Sequence, residues 1–150
     1  MFSIDNAAGL QFEFNHNGSL RHLRLHDVHV NLFVGSEVEG GPANLWLRLR
    51  DDNGDVELAP LLGPRSPLAF RNNVVEGTWR DLRLRLALRL AADAPAWFWH
   101  LRVDNLGSTA HTIELLHVQD LGLAAYGAIR TNEYYVSHYI DLCSLQHRER

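Results

Sequence analysis

The feature that most constrains the fold is a strict alternation of leucine with other residues in the middle of the chain. Over residues 82–90, LRLRLALRL, leucine occupies every second position and three arginines fall between the leucines. Successive side chains of a β-strand point to opposite faces, so the stretch predicts a strand with one apolar face and one solvated face. A helix would need apolar residues at spacings of three and four, which this stretch lacks.

Two other stretches alternate in the same way, and turn signals separate the alternating runs. Residues 45–50 read LWLRLR, and residues 97–105 read WFWHLRVDN. Asn17-Gly18 predicts a type I′ hairpin turn, and further breaks fall at Asn53-Gly54, at 93–95 and at 105–108. Strands at this spacing predict an all-β fold, an antiparallel β-sandwich of about nine to eleven strands with little or no helix. No linker interrupts the chain, so we expect a single domain over residues 1–150.

Three places are less regular. Residues 35–43 form a glycine-rich acidic stretch, which predicts a loop. Residues 58–73 contain three prolines, which predict a surface connection or an edge, because proline cannot serve a central strand. The apolar positions change parity at His26-Asp27, which predicts a bulge or a tight corner.

Charge and composition exclude some functions. The net charge is −4 and the fourteen basic side chains are all arginine, spread along the chain. A nucleic-acid-binding protein usually concentrates a basic surplus on one face, so we expect no nucleic-acid partner. No apolar run is long enough for a membrane span. The N-terminus lacks a signal-peptide pattern, and the one cysteine fits a reducing compartment, so we expect a cytoplasmic protein.

Metal and nucleophile motifs are weak. The densest histidine group is His22, His26 and His29, but four strand residues span about 13 Å, so His22 and His26 could not share an ion in a regular strand. His26 and His29 would face opposite sides, and we expect no metal or other cofactor. Cys143 beside His138 or His147 is a possible nucleophile, but no sequence signal indicates a lowered thiol pKa.

The richest chemistry lies in the stretch RTNEYYVSHYIDL, residues 130–142. Read as a strand, its part EYYVSHYIDL, residues 133–142, puts Tyr135, Ser137, Tyr139 and Asp141 on one face and mostly apolar residues on the other. Aromatic rings stack on the C–H groups of sugars while their polar tips bond hydroxyls, so this face suits carbohydrate. The alternative is that the tyrosines are ordinary strand residues with local hydrogen-bond partners.

The order of these motifs resembles a known family. The hairpin FNHNGSL, the acidic glycine-rich loop, NLWLRLRD, the long arginine-leucine strand, the segment WFWHLRVDNLGSTAHTIELLHVQDLGLA and finally TNEYYVSHYIDL resemble, in this order, the N-terminal β-sandwich of the glycoside phosphorylases. These enzymes were formerly grouped as glycosyltransferase family 36 and are now in glycoside hydrolase family 94. The resemblance covers most of the chain and is closest to the β-1,2-oligoglucan phosphorylase branch, mainly through residues 132–141.

The resemblance implies a galactose-mutarotase-like super-sandwich that precedes a helical catalytic domain. In that family the helical domain carries the catalytic acid, the reaction inverts the anomeric carbon, and no metal is used. It also implies that these 150 residues are a fragment or a truncated relative of a longer carbohydrate-active enzyme, with no catalytic residue of their own. The implied partners are an oligosaccharide or glucan and, for a fragment, the catalytic domain. The candidate substrate-binding residues are Arg130, Asn132, Glu133, Tyr135, Tyr139 and Asp141.

Four functions remain open at this point. The first is a non-catalytic phosphorylase domain that supplies scaffold, dimer contacts and part of a glucan-binding surface. In that reading Tyr135 and Tyr139 contact the sugar rings, while Glu133 and Asp141 accept hydrogen bonds from hydroxyls. The others are a free-standing carbohydrate-binding module, a purely structural assembly domain, and a small mutarotase-like enzyme using candidates such as His117, His138 and Glu133. A sheet that ends in an exposed edge also predicts a homo-oligomer.

Overall fold

The computed structural model describes residues 1–50, 54–131, 135, 140, 141, 143 and 144. Within them the chain forms twelve β-strands and one short helix, against the nine to eleven strands expected; two of the twelve contain only two residues. In chain order the elements are β1 (Phe2–Asp5), β2 (Leu10–Phe14), β3 (Leu20–Leu25), β4 (Val28–His29), β5 (Asn44–Arg50), β6 (Val56–Pro60), β7 (Ala69–Arg71), β8 (Val74–Trp79), β9 (Leu82–Leu90), β10 (Trp97–Asn105), β11 (Thr112–Val118), β12 (Ala124–Ala125) and α1 (Tyr126–Thr131).

The strands form three antiparallel sheets, which confirms the all-β sandwich. A five-stranded sheet has the order β1-β2-β3-β4-β12, a four-stranded sheet has the order β10-β9-β8-β7, and a three-stranded sheet has the order β11-β5-β6. The four-stranded sheet makes one layer of the core, and the other two sheets pack against it. One layer of the sandwich is therefore split between two separate sheets.

The alternating leucines make the core, as the sequence predicts. The even-numbered leucines of β9 from Leu82 to Leu88 are at most 1% exposed, while Arg83, Arg85 and Arg89 face solvent. Leu82, Leu84 and Leu86 pack with the buried leucines of β5. Leu88 instead packs with the phenylalanines of β2. One strand thus joins the two halves of the core, because its apolar face is long enough to reach both sheets.

The first hairpin is confirmed, but its predicted turn type is wrong. A type I′ turn needs positive φ at both central residues. Gly18 has φ 80°, whereas Asn17 has no positive φ. The amide of Gly18 donates to the carbonyl of Asn15 at 3.0 Å, and the amide of Asn15 donates to the carbonyl of Ser19 at 3.0 Å. The connection is therefore a longer loop in which only the glycine takes the left-handed conformation.

The parity change at His26-Asp27 is a tight corner, as predicted. Leu25 pairs with Val28 and Arg24 pairs with His29, so two residues connect β3 to β4. His26 takes the left-handed conformation that such a short turn requires, with φ 51°. The corner sets the pairing of β3 and β4 and brings their polar side chains to one face.

The proline-rich stretch 58–73 is only partly a surface connection. Pro60 ends the edge strand β6, and β7 is an edge strand of another sheet, as the prolines suggest. Leu61 and Leu62 between them are nevertheless at most 3% exposed and belong to the core. Their burial was missed because two adjacent leucines outside a strand show no period. Residues 35–43 form the predicted loop.

The strand predicted for residues 133–142 is wrong at Tyr135, which has helical backbone conformation. Arg130, just before that stretch, lies in α1. In the described part of the chain, no helix combines the length and apolar character needed to cross a membrane.

Candidate functional site

The candidate site is the place where α1 attaches to the outer face of the five-stranded sheet. The inner face of this sheet carries the buried residues Leu10, Phe12, Phe14 and Leu23. Its outer face is polar, because the strand positions between these residues hold charged, amide and imidazole groups. Tyr126, the first residue of α1, covers part of that polar face, and the predicted carbohydrate-binding residues follow it in the chain.

Three rings form the contact, which we call the histidine–tyrosine cluster: His22, His29 and Tyr126. The ring centroids of His22 and His29 are 5.0 Å apart and the rings are nearly perpendicular, at 86°. The Tyr126 ring lies 4.8 Å from the His29 ring and 5.7 Å from the His22 ring. Edge-to-face contacts at such distances are favourable for aromatic groups. His29 is buried, whereas Tyr126 remains about half exposed.

Burial favours the neutral form of the two imidazoles. Burial lowers the pKa of His22 below its ordinary value; Arg21 and Arg24 lower it further, and the Glu13 carboxylate opposes them. Burial also lowers the pKa of His29, and the neighbouring His22 is the second cause. A neutral imidazole carries one donor and one acceptor, so the cluster can exchange hydrogen bonds without adding charge.

Not every polar atom around the cluster is satisfied. The Nδ1 atom of His22 and the Nε atom of Arg24 are buried and have no hydrogen-bond partner among the described residues. Arg24 does donate through Nη2 to the side-chain oxygen of Gln11. Buried polar atoms normally find partners, so this face of the sheet has unused hydrogen-bonding capacity beside the first turn of α1.

A second contact holds α1 one turn further along the same face. Ile129 is 1% exposed, and a Cβ on Gly122 would lie 2.7 Å from the Cδ1 atom of Ile129. The glycine therefore lets the helix approach the chain at Asn31 and Leu32. Asp120 fixes the same place, because one of its oxygens accepts from the backbone amides of Leu32 and Phe33, both at 2.7 Å. The contacts of Tyr126 and Ile129 together set the position of α1.

The predicted binding residues are only partly placed by the structure. Arg130 lies in the last turn of α1, and its side chain is exposed. Tyr135 is 65% exposed and Asp141 is exposed outside any helix or strand. Asn132, Glu133 and Tyr139 lie outside the described residues. The proposed division of this stretch into two strand faces fails at Tyr135, because a helical residue does not follow the two-residue period.

Sequence reasoning missed the histidine–tyrosine cluster. It compared His22, His26 and His29 along one strand, although the corner at 26–27 was itself predicted. A two-residue turn pairs Arg24 with His29, and residue 22 then lies diagonally across the strands from His29, within reach of a ring. The helix also had a signal, since Tyr126 and Ile129 are three residues apart and so share one helix face.

A separate groove lies on the outer face of the four-stranded sheet. Its volume is about 440 Å³, and its polar lining residues are Glu76, Thr78, Arg83, Arg85, Arg102 and Asp104. Its charges largely pair within the sheet: Arg102 Nε donates to both carboxylate oxygens of Asp104, and Arg85 lies 3.8 Å from Glu76. The groove contains no aromatic side chain on which a sugar ring could stack.

The histidine–carboxylate pairs that the structure describes include no residue of the groove or of the cluster. His16 Nδ1 is 2.7 Å from Glu37, and His111 Nε2 is 2.8 Å from Asp81. Both contacts lower the pKa of the carboxyl partner, chiefly through the hydrogen bond. Each pair joins two loops, so these pairs support a structural role. Of the candidates for a mutarotase-like acid–base pair, Glu133 and His138 lie outside the described residues, and the partial burial of its ring lowers the pKa of His117 on β11.

Comparison with known proteins gives two findings. The family described as the SOGP N-terminal domain matches residues 13–150. A 1,2-beta-oligoglucan phosphorylase from Listeria innocua serovar 6a is 32% identical over 135 residues. The matched region covers 89% of this chain and 12% of that relative, so the chain spans a small part of the relative's length.

Proposed function

The chain belongs to the SOGP N-terminal domain family, and we propose from this membership that it is the non-catalytic N-terminal sandwich domain of a carbohydrate phosphorylase. The observation that carries the proposal is the match over residues 13–150, joined to 32% identity with a 1,2-beta-oligoglucan phosphorylase. Because the chain corresponds to 12% of that relative, most of the relative's length is left for the catalytic machinery. The expected parent activity is phosphorolysis of a β-linked glucan, with inversion.

The domain's first role is scaffolding. Two buried clusters hold the three sheets together, and α1 is fixed on the outer face of one sheet by Tyr126 and Ile129. Both anchors lie before the residues that are rich in hydroxyl and carboxylate groups. The sandwich thereby supplies a rigid base from which a binding segment can extend toward the catalytic domain, as positioned sites require.

The second role is binding part of a glucan. Arg130, Tyr135 and Asp141 have exposed side chains, so a ligand or another domain can reach them. A tyrosine ring can stack on the C–H face of a sugar, while guanidinium and carboxylate groups bond its hydroxyls. Asn132, Glu133 and Tyr139 complete the proposed set from the same stretch. The name of the relative makes β-1,2-linked glucose oligomers the first ligands to test.

Titration calorimetry of the purified chain with β-1,2-linked oligoglucans tests this surface. We expect binding, and we expect Tyr135→Ala and Tyr139→Ala each to weaken it by about 1 kcal/mol, the scale of one aromatic contact. Phe98→Ala is the matched control: Phe98 is 55% exposed, close to the 65% of Tyr135, but lies on the four-stranded sheet. Thermal melting of each variant shows whether the fold is retained.

Two results would overturn parts of the proposal. Unchanged affinity in both tyrosine variants, or an equal loss of affinity in Phe98→Ala, would show that the tyrosines do not form the glucan-binding surface. The chain's membership of the family would not be affected. Release of a sugar phosphate from glucan and inorganic phosphate by the chain alone would contradict its non-catalytic role. A free-standing carbohydrate-binding module would show the same binding and would need no catalytic domain to act.

The proposal includes two further properties. We propose that the protein works in the cytoplasm. Its single cysteine supports this, because one cysteine cannot form a disulfide within the chain and disulfides are rare in a reducing compartment. We also propose that it forms a homo-oligomer through dimer contacts, and an exposed strand edge supports this.

A further inference from the structure

The strand β11 is exposed along its whole length. All seven of its residues have exposed side chains, and four of them are large and apolar: Ile113, Leu115, Leu116 and Val118. The strand lies at the end of its sheet and pairs only with β5 among the described strands. Its inner-face residues Ile113 and Leu115 continue the row of Leu49 and Leu47, yet nothing described covers them.

The other sheet edges carry the features that normally prevent association. β1 and β7 are only four and three residues long. β6 ends in Pro60, and β10 presents His100, Arg102 and Asp104 on its outer face. Short strands, proline and charged side chains are the usual protections of a natural edge. Each of these four edge strands therefore has at least one protection of this kind.

β11 is less protected than these edges. It pairs with β5 over seven consecutive residues without a register shift, so no bulge turns its edge away. It contains neither lysine nor proline. Its one acidic residue, Glu114, is 2.9 Å from Arg48 of the neighbouring strand, so its charge is already compensated within the chain. An exposed, regular, apolar edge of this kind is expected to pair with another strand.

We propose that β11 is the site at which a second copy of this chain binds, by antiparallel pairing of the two β11 strands about a two-fold axis at Leu115. This pairing places Leu115 opposite Leu115 of the second copy, and the strand's other residues then pair as Ile113 with His117, Glu114 with Leu116 and Thr112 with Val118. No like charges face each other, and every large apolar side chain of the strand gains a cross-strand neighbour. The strand can therefore pair with itself without opposing like charges, and Leu115 meets Leu115 at the axis.

The result is one continuous six-stranded sheet, β6-β5-β11 of one copy followed by β11-β5-β6 of the other. The same strand serves on both sides, as a two-fold dimer requires. This inference rests on the homo-oligomer clause of the proposed function and names its surface. It does not involve residues 130–141, so glucan binding and dimer formation can fail separately.

Sedimentation and crosslinking test the pairing in the full chain. We expect a dimer whose population grows with protein concentration, and we expect Leu115→Lys to make it monomeric. Val56→Lys is the matched control, because Val56 is 44% exposed, close to the 46% of Leu115, at the opposite edge of the same sheet. In a Cys143→Ser background, Leu115→Cys should form a disulfide-linked dimer on mild oxidation, whereas Val56→Cys should not.

The outcomes separate the alternatives. A monomer at every concentration would overturn the proposal and would leave the edge to a strand from another protein or from a longer polypeptide. A dimer that survives Leu115→Lys, or equal crosslinking at positions 56 and 115, would also overturn it. If Leu115→Lys does not fold, the crosslinking pair still decides, since Leu115→Cys keeps an uncharged side chain of smaller size.

Discussion

At the scale of single residues, His22 and His29 show how a sheet's outer face can change the chemistry of its side chains. Their neighbours on that face include Glu13, Arg21 and Arg24, and Tyr126 covers them from α1. Burial lowers both histidine pKa values from 6.5, so the folded chain resists protonation that the unfolded chain accepts. The contribution of these two histidines to the free energy of unfolding is therefore fully present above pH 6.5 and is lost as the pH falls through the lowered pKa values.

His29→Gln should reduce this dependence on pH. We expect the urea midpoint of the natural chain to decrease when the pH is lowered from about 7.5 to about 5.5. The decrease should be smaller in the variant, because it lacks one of the histidines whose protonation the folded state opposes. Part of the dependence should remain, since burial also lowers the pKa of His22 and His117. His100→Gln, at an exposed position, is the control. An unchanged slope in His29→Gln would show that His29 is already protonated in the folded chain or remains accessible.

At the scale of elements, the difference between what the sequence predicts and what it misses follows from the range of the interactions. The period of β9 and the parity change at His26-Asp27 are local, and both are found in the structure. The conformation of α1 is decided by distant partners, namely the sheet beneath Tyr126 and the backbone beside Gly122. A local pattern of tyrosines could not reveal these contacts, so the segment was assigned to a strand. Tyr135 was thus placed on the wrong kind of element, while the binding role of Arg130 and Tyr135 stays a prediction.

Tyr126 should control how firmly α1 is held. We expect Tyr126→Ala to loosen the helix, because its ring supplies the aromatic contact to His22 and His29. Limited trypsin digestion followed by mass spectrometry should show faster cleavage after Arg130, since proteolysis reports local opening. Tyr126→Phe keeps the ring and should digest like the natural chain. Equal cleavage rates in all three proteins would mean that Ile129 alone holds the helix.

At the scale of the whole molecule, the alternating runs were enough to predict a sandwich but not the division of its second layer. Leu84 and Leu88 belong to the same apolar row of β9, yet they pack against different sheets. Nothing in a two-residue period records which strands become neighbours, because that depends on how the loops route the chain. The same limit applies to β11: its sequence reads as an ordinary strand, and only the strand order shows that its far side is unpaired among the described elements.

Leu47 and Leu115 are paired across β5 and β11, which makes them a direct test of how the molecule uses this edge. Leu47 is 0% exposed and Leu115 is 46% exposed. Leu47→Ala should cost about 2–5 kcal/mol of unfolding free energy at any protein concentration, as expected for a core leucine. If two copies pair through β11, the urea midpoint of the natural chain should rise with protein concentration, because association stabilises the folded state. The urea midpoint of Leu47→Ala should be lower at every concentration but should rise with protein concentration in the same way.

Leu115→Ala should differ from the natural chain mainly at high protein concentration. At low concentration its midpoint should lie near that of the natural chain, since a side chain already half exposed loses little burial when it is shortened. At high concentration the gap should widen, because the variant loses the contact at the two-fold axis and gains less from association. Parallel curves for the natural chain and Leu115→Ala would mean that Leu115 lies outside the interface. A midpoint independent of concentration in all three proteins would mean that the chain is stable without a partner at this edge.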